Sequence, residues 1–134
     1  MTKNHSEGLE ARKAFGLEAE TVAANYLERR GFEIIKRNHH SQRGEVDLIC
    51  RRDGWLIFVE VKAAAKSNAP DLAYRIPPVK RRKLALAARD FLQKNQVEAA
   101  GLRFDALFLA RKNESEWRVE HLENAFTLDD LDPL

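Results

Sequence analysis

The sequence predicts an α/β domain with a mixed central sheet of about five strands flanked by helices. Its 134 residues have the length of a single domain. Asp53-Gly54 separates two apolar runs, and Asp-Gly in that setting is among the strongest short signals of a β-hairpin. A helical pattern that opens at Pro77-Pro78 joins two strand candidates, so those two strands should run parallel.

The first half of the chain contains one predicted helix and three predicted strands. The helix spans about Ser6 to Arg30, because apolar residues recur there at helical spacing and Gly31 follows. A short strand is predicted at Phe32–Lys36. The two strands of the hairpin are predicted at Glu45–Arg51 and Trp55–Lys62.

The second half predicts a crossover helix between two further strands. A loop of about fourteen residues, Ala63–Ile76, leads to a helix from Pro77 to about Asn95, since proline is favoured in the first turn. The strands that follow are predicted at Leu102–Leu109 and Trp117–Leu122. Together these elements predict one helix, three strands, a second helix and two strands, which is the order of an α/β mixed sheet.

Composition and charge narrow the classes of function. Residues 1–126 are predicted to form one domain, and residues 127–134 an acidic tail. The six glycines are too widely spaced for a phosphate-binding glycine loop, and the lone Cys50 excludes an internal disulfide and a zinc site of several thiolates. The sequence contains no long apolar run, and its first residues are polar. We therefore expect a cytoplasmic protein without a membrane partner.

The hairpin register predicts which side chains share a face of the sheet. A two-residue turn at Asp53-Gly54 makes the numbers of opposed residues sum to 107. One face is then wholly apolar and should be core, and the other is mixed. The apolar pairs are Val46/Val61, Leu48/Val59 and Cys50/Ile57, and the mixed pairs are Ile49/Phe58, Asp47/Glu60 and Glu45/Lys62.

Asp47 and Glu60 are therefore predicted to lie opposite each other, with β-carbons about 4.5–5.5 Å apart. Two acids so placed must share a proton, find cations or bind a divalent metal ion. Lys62 follows Glu60 on the same face and could hold a nucleophilic water or developing phosphate charge, as a hydrolytic metal site requires. The alternative is a surface salt-bridge cluster in which Lys62 pairs with Glu60 and Glu45 in solvent.

The two strands also carry a family resemblance. GEVDLI (Gly44–Ile49) followed by FVEVK (Phe58–Lys62) resembles the core motif of the PD-(D/E)XK nucleases. The sequence is most similar to the YraN-like family of bacterial proteins, which is related in fold to archaeal Holliday-junction resolvases. The resemblance covers most of the chain and implies a restriction-endonuclease-like three-layer fold.

The resemblance also implies a catalytic site that uses Mg²⁺ or Mn²⁺. Asp47 and Glu60 would be metal ligands, the carbonyl of Val61 would complete the shell, and Lys62 would be the motif lysine. Glu20 would add a carboxylate from the first helix, and its alternative is an ordinary solvated glutamate.

The chain departs from the family pattern at two positions. The family usually has arginine where this chain has His40 and Ala64, and both changes remove candidate phosphate contacts.

A basic rim around the acidic pair predicts binding to a phosphate backbone. The sequence VKRRK opens the second helix, and cations there can join the free backbone N–H groups in holding phosphate. The alternative is a solvated helix face that only aids solubility. The candidate nucleic-acid-binding residues are Lys80, Arg81, Arg82, Lys83, Arg43, Lys66 and Arg75.

These observations favour a DNA-binding, metal-dependent endonuclease, with branched DNA as one candidate substrate and RNA left open. The competing hypotheses are a nucleic-acid-binding module that keeps the fold without cleaving, and a small adaptor that recognises proteins. Related resolvases act as dimers, so the resemblance makes a homodimer one candidate assembly. Smaller predictions are a structural Arg103–Asp105 ion pair, an inert buried Cys50, and solvated His39 and His40.

Overall fold

A computed structural model describes residues 5–65 and 76–127 of the chain. Five strands form one sheet in the order β1-β2-β3-β4-β5. The elements are α1 (His5–Arg29), β1 (Glu33–His40), β2 (Glu45–Arg52), β3 (Trp55–Ala64), α2 (Pro78–Asn95), β4 (Gly101–Arg111) and β5 (Trp117–Phe126).

The sheet is mixed, as the sequence predicts. Strands β1, β2 and β3 pair antiparallel, β3 and β4 pair parallel, and β4 and β5 pair antiparallel. The helix α2 lies in the crossover between the parallel strands. The predicted α/β class is confirmed, although β1 continues four residues beyond the predicted end at Lys36 and β5 continues beyond Leu122 to Phe126.

Two apolar clusters pack on the sheet. One contains α1 residues such as Leu27 together with Leu48 and Val59. The other contains α2 residues such as Phe91 together with Phe58. Because successive strand residues point to opposite faces, the central strands are buried on both sides between the helices. Ile49 and Phe58, the pair next to the two acids in the hairpin, are both fully buried.

The predicted hairpin register is confirmed over its inner part. Leu48 pairs with Val59, and Cys50 pairs with Ile57. The turn residues Asp53 and Gly54 have φ of 51° and 82°. Both central residues of a type I′ turn need positive φ, which explains the Asp-Gly sequence.

The regular ladder between β2 and β3 ends at Leu48 and Val59, which corrects the prediction that it continues to Val46 and Val61. In a continued ladder, Val61 would form the next hydrogen-bonded pair with Val46. Instead, the Val61 amide donates to the Asp47 carboxylate at 2.7 Å. Val46 accordingly belongs to the α2-side cluster, not to the α1-side cluster of Leu48. The strands therefore part where the two acidic side chains lie.

Candidate active site

The candidate site lies where β2 and β3 separate. Asp47 comes from β2 and Glu60 from β3, and their carboxyl groups are close enough for each to shift the pKa of the other. The Glu60 side chain is only 14% exposed. The strands therefore hold two acids together in a largely dry position, even though the backbone ladder does not include them.

Burial makes both acids hard to ionise. Burial is the main cause that raises the pKa of Glu60 to about 7, and the charge of Asp47 adds to it. Burial also raises the pKa of Asp47, although its hydrogen bond from Val61 opposes the rise. A carboxyl pair of this kind shares a proton near neutral pH because two adjacent negative charges are costly in a desolvated setting.

Two lysines act on Glu60. The Lys80 ammonium at the start of α2 lies 3.5 Å from the Glu60 Oε1 atom. Lys62, two residues beyond Glu60 on β3, is exposed to solvent, and its charge also lowers the Glu60 pKa. These cations only partly offset burial, because the pKa remains raised.

A third carboxylate faces the site from α1. Burial raises the pKa of Glu20, and the charge of Asp47 raises it further. Arg37 and a hydrogen bond with Asn38 act in the opposite direction. The Oε1 atom of Glu20 is buried and has no hydrogen-bond partner among residues 5–65 and 76–127. Glu20 is therefore near Asp47 and retains an unused acceptor, and the alternative of an ordinary solvated glutamate does not describe it.

The donor set suits a hard divalent cation. Within residues 5–65 and 76–127, no three His, Cys, Asp or Glu side chains form a ready-made metal cluster. Mg²⁺, however, is commonly held by one or two carboxylates and keeps several waters. Asp47 and Glu60 supply those two carboxylates, and the unpartnered Oε1 of Glu20 can accept a hydrogen bond from a water. The residues present fit Mg²⁺ or Mn²⁺ in that form.

The structure gives the predicted basic residues different surroundings. Lys80 faces Glu60, and Arg81 donates its side-chain Nε–H to the Ile76 carbonyl at 2.7 Å. Arg43 forms an ion pair with Asp90 on α2. Arg82 and Lys83 lie on the exposed side of the first turns of α2, and Lys66 and Arg75 lie outside the described residues.

Three features of the site were not predicted from the sequence. The sequence predicts Lys80 only as a residue that binds the phosphates of nucleic acid. Its contact with Glu60 depends on how α2 packs over the sheet. Val61 contributes its backbone N–H, whereas the resemblance assigned its carbonyl. His39, predicted to be solvated, is 4% exposed, and its ring packs against Phe91 of α2.

A protein-family model matches the part of the chain that contains the candidate site. Residues 19–109 match the model described as "Uncharacterised protein family UPF0102". The chain belongs to the UPF0102 family. The match extends from α1 through β4 and includes Glu20, Asp47, Glu60, Lys62 and Lys80. It confirms the family-level resemblance to YraN-like proteins.

Relatives in the UPF0102 family align over nearly the whole chain. A UPF0102 protein of Anaeromyxobacter dehalogenans is 38% identical over 120 residues, covering 90% of this chain and 89% of the relative. A UPF0102 protein of Rhodopseudomonas palustris is 39% identical over 112 residues, covering 83% and 82%. One of Geobacter sulfurreducens is 37% identical over 124 residues, covering 91% and 95%. Among the described residues, neither helix is long and apolar enough to cross a bilayer.

Proposed function

We propose that this UPF0102 chain is a metal-dependent endonuclease that hydrolyses phosphodiester bonds in DNA, with a restriction-endonuclease-like fold of the PD-(D/E)XK type. The observation that carries the proposal is the buried Asp47–Glu60 pair, whose pKa values are raised by burial. Buried acids with raised pKa values are characteristic of functional sites, and a divalent cation would compensate their charge.

Asp47 and Glu60 would hold Mg²⁺ or Mn²⁺, with the Val61 carbonyl as the further ligand that the family resemblance implies. When bound, the ion would lower the pKa of a coordinated water and neutralise charge on a phosphate oxygen. The Val61 amide keeps the Asp47 carboxylate oriented through its 2.7 Å hydrogen bond. Glu20 has an oxygen without a partner in the described part of the chain, and this oxygen can orient a water molecule by accepting a hydrogen bond from it.

The lysines supply positive charge on the solvent side of the pair. Lys62 is exposed and close enough to lower the Glu60 pKa, so its ammonium can reach a phosphate that approaches the acids. Lys80 lies at the start of α2, where free backbone N–H groups and the helix dipole also favour an anion. Both side chains can therefore stabilise charge that develops on phosphate oxygens during in-line attack.

The basic start of α2 supports nucleic acid as the substrate. The first turn of α2 contains no acidic residue, although acids are the residues that the helix dipole favours there. Arg82 and Lys83 instead present positive charge on an exposed helix surface. This arrangement suits a phosphate backbone and predicts salt-dependent binding.

A non-catalytic DNA-binding module is the second candidate. The Lys80–Glu60 ion pair favours it, because a lysine can compensate the acidic pair without any metal ion. Such a module would bind DNA equally well before and after removal of the Asp47 charge.

Cleavage assays on matched variants test the proposal. Labelled linear, flapped and four-way DNA and a single-stranded RNA are incubated with Mn²⁺ or with EDTA. We expect Mn²⁺-dependent nicking that falls at least about 100-fold in Asp47→Asn and Glu60→Gln, the scale of losing an essential charge-stabilising group. The exposed Glu33→Gln is the matched control and should retain full activity. Activity that survives Asp47→Asn would mean a contaminating nuclease and would contradict the proposal.

A further inference from the structure

A second pocket lies beside the turn between β1 and β2. We call it the turn pocket. It has a volume of about 600 Å³ and is open to solvent on one side. The end of β1, the turn and the C-terminal half of α2 form its wall. The residues used below are His39, Arg43, Asp90, Gln93 and Lys94.

His39 is the unusual residue of the turn pocket. It is 96% buried, since only 4% of its surface is exposed, yet neither ring nitrogen has a hydrogen-bond partner in the described part of the chain. Its ring packs edge-on against Phe91 with a centroid distance of 5.3 Å. An unsatisfied buried donor or acceptor is destabilising, and an apolar ring would fill the same space without that cost. The imidazole therefore points to a ligand that completes its hydrogen bonding.

The charges around His39 favour an anion. Arg43 and Lys94 line the turn pocket, and Asp90 on α2 is already paired with Arg43. Burial lowers the pKa of His39, and the charges of Lys36, His40 and Lys94 lower it further while Asp90 opposes them. His39 is therefore neutral at pH 7, with one N–H to donate. His39 lines the pocket beside the Lys94 ammonium, the Arg43 guanidinium that pairs with Asp90, and the Gln93 amide.

We propose that the turn pocket binds a phosphate-type oxyanion, which accepts a hydrogen bond from His39 and is neutralised by Arg43 and Lys94. The pocket is distinct from the carboxylate pair but close to it, because His39 pairs with Val46 and Asp47 is the next residue. A non-scissile backbone phosphate of a bound strand would have the required chemistry, and this source rests on the proposed function. A free phosphate ester has the same chemistry and is the other source.

Titration with inorganic phosphate and pyrophosphate tests the oxyanion site directly. The full-length chain, labelled at histidine ring nitrogens, is followed by NMR without metal ions. We expect saturable shifts of the His39 resonances and at least a tenfold weaker affinity in His39→Phe, which keeps a ring against Phe91 but removes both nitrogens. His39→Gln, which restores an N–H donor, should recover part of the affinity. Lys112→Gln, an exposed lysine in the β4–β5 turn, is the control and should leave affinity unchanged.

DNA binding in EDTA distinguishes the two sources of phosphate. If His39→Phe weakens duplex binding together with phosphate binding, the ligand is a backbone phosphate. If only phosphate and pyrophosphate binding is lost, the ligand is a free phosphate ester, and the oxyanion site stands in either case. Saturable phosphate binding that His39→Phe and His39→Gln both leave intact would overturn the inference, as would no shift of His39 at tens of millimolar phosphate. Asp47→Asn should retain phosphate binding, so loss of cleavage and loss of this site are separable outcomes.

Discussion

The sheet contains two centres of buried carboxylate that differ in how their charge is satisfied. Asp105 on β4 is fully buried and accepts two hydrogen bonds from Arg103, at 2.8 and 2.9 Å. His121 lies 2.7 Å away, and the backbone N–H of Asn124 donates at 3.0 Å. Despite burial, the hydrogen bonds from His121 and Arg103 hold the pKa of Asp105 below its ordinary value. This centre is electrostatically complete without a ligand.

The Asp47–Glu60 centre is incomplete, because fewer hydrogen-bond donors face its carboxylates than face Asp105. Asp47 accepts one backbone N–H from Val61, and Glu60 has one lysine at 3.5 Å. Burial raises the pKa of both acids, and each acid is the other's close neighbour. The difference shows that burial of a carboxylate does not identify a functional site. What separates the two centres is the number of donors that face each acid.

The largest expected difference is in stability. Asp105→Asn should lower the free energy of unfolding by about 3–5 kcal/mol, because it removes the buried charge that accepts from Arg103 and His121 and leaves the partly buried Arg103 with only the more distant Glu123 at 3.9 Å. Asp47→Asn should lower it by less than about 1 kcal/mol or raise it, since a repulsive neighbour of Glu60 is removed. Urea unfolding at pH 7 measures both. Equal losses in the two variants would mean that the centres are alike and would contradict the comparison.

The pH dependence of stability should have opposite signs at the two centres. Glu60 has its pKa raised from 4.5 to about 7, so between these values the folded chain keeps a proton that the unfolded chain has lost. Stability then falls as pH rises from 4.5 to 7, by up to about 3 kcal/mol from this group. Asp105 has its pKa lowered from 3.8, so its contribution is present above pH 3.8 and is lost as pH falls through the folded-state value.

The variant Glu60→Gln isolates the contribution of Glu60 to the pH dependence of stability. His39 has a lowered pKa and makes stability rise with pH through the same range, so the difference between wild type and variant is the useful quantity. That difference should change steadily between pH 4.5 and 7 and then become constant. A difference that does not vary with pH would show that Glu60 titrates at its ordinary value.

Divalent metal ions should stabilise the folded protein by binding at the Asp47–Glu60 centre and not at Asp105. At ten times its dissociation constant, Mg²⁺ or Mn²⁺ should add about 1–1.5 kcal/mol to the free energy of unfolding. Because Glu60 is partly protonated at pH 7, binding should also release protons, which calorimetry in buffers of different ionisation enthalpy detects. Asp47→Asn should abolish both effects, whereas Arg103→Met should leave proton release unchanged. Proton release that persists in Asp47→Asn would place the ion elsewhere.

The sequence predicts the fold well because its signals are local. Asp53-Gly54 specifies a turn in which both residues have positive φ, and that turn sets the register as far as Leu48. Pro78 lies in the first turn of α2, where its missing N–H has no cost. The regular pairing fails in two places that the sequence does not mark: between Ile34 and Lys36, where the β1–β2 register shifts, and at Asp47, whose side chain accepts the Val61 amide.

The candidate site could be predicted only in part, because its electrostatics depend on tertiary packing. The hairpin places Asp47 and Glu60 on neighbouring strands, but no local pattern shows that Lys80 arrives from α2. The Arg103–Asp105 ion pair was predicted from residues two apart on a strand and is confirmed, whereas His121 comes from the neighbouring β5. His39 illustrates the same limit, since its burial follows from pairing with Val46 and packing on Phe91.

The smallest predicted effect compares the cations of the two centres. Lys80→Met should lower the free energy of unfolding by less than about 1 kcal/mol at pH 7, because the Lys80 side chain is 42% exposed and Glu60 can take up a proton when the lysine is lost. At pH 5 the effect should vanish, since Glu60 is then protonated in wild type as well. Arg103→Met should instead cost several times more at both pH values, because Asp105 is fully buried and its lowered pKa keeps it ionised. A Lys80→Met loss that is as large at pH 5 as at pH 7 would mean that Lys80 stabilises the fold by packing rather than by its charge on Glu60.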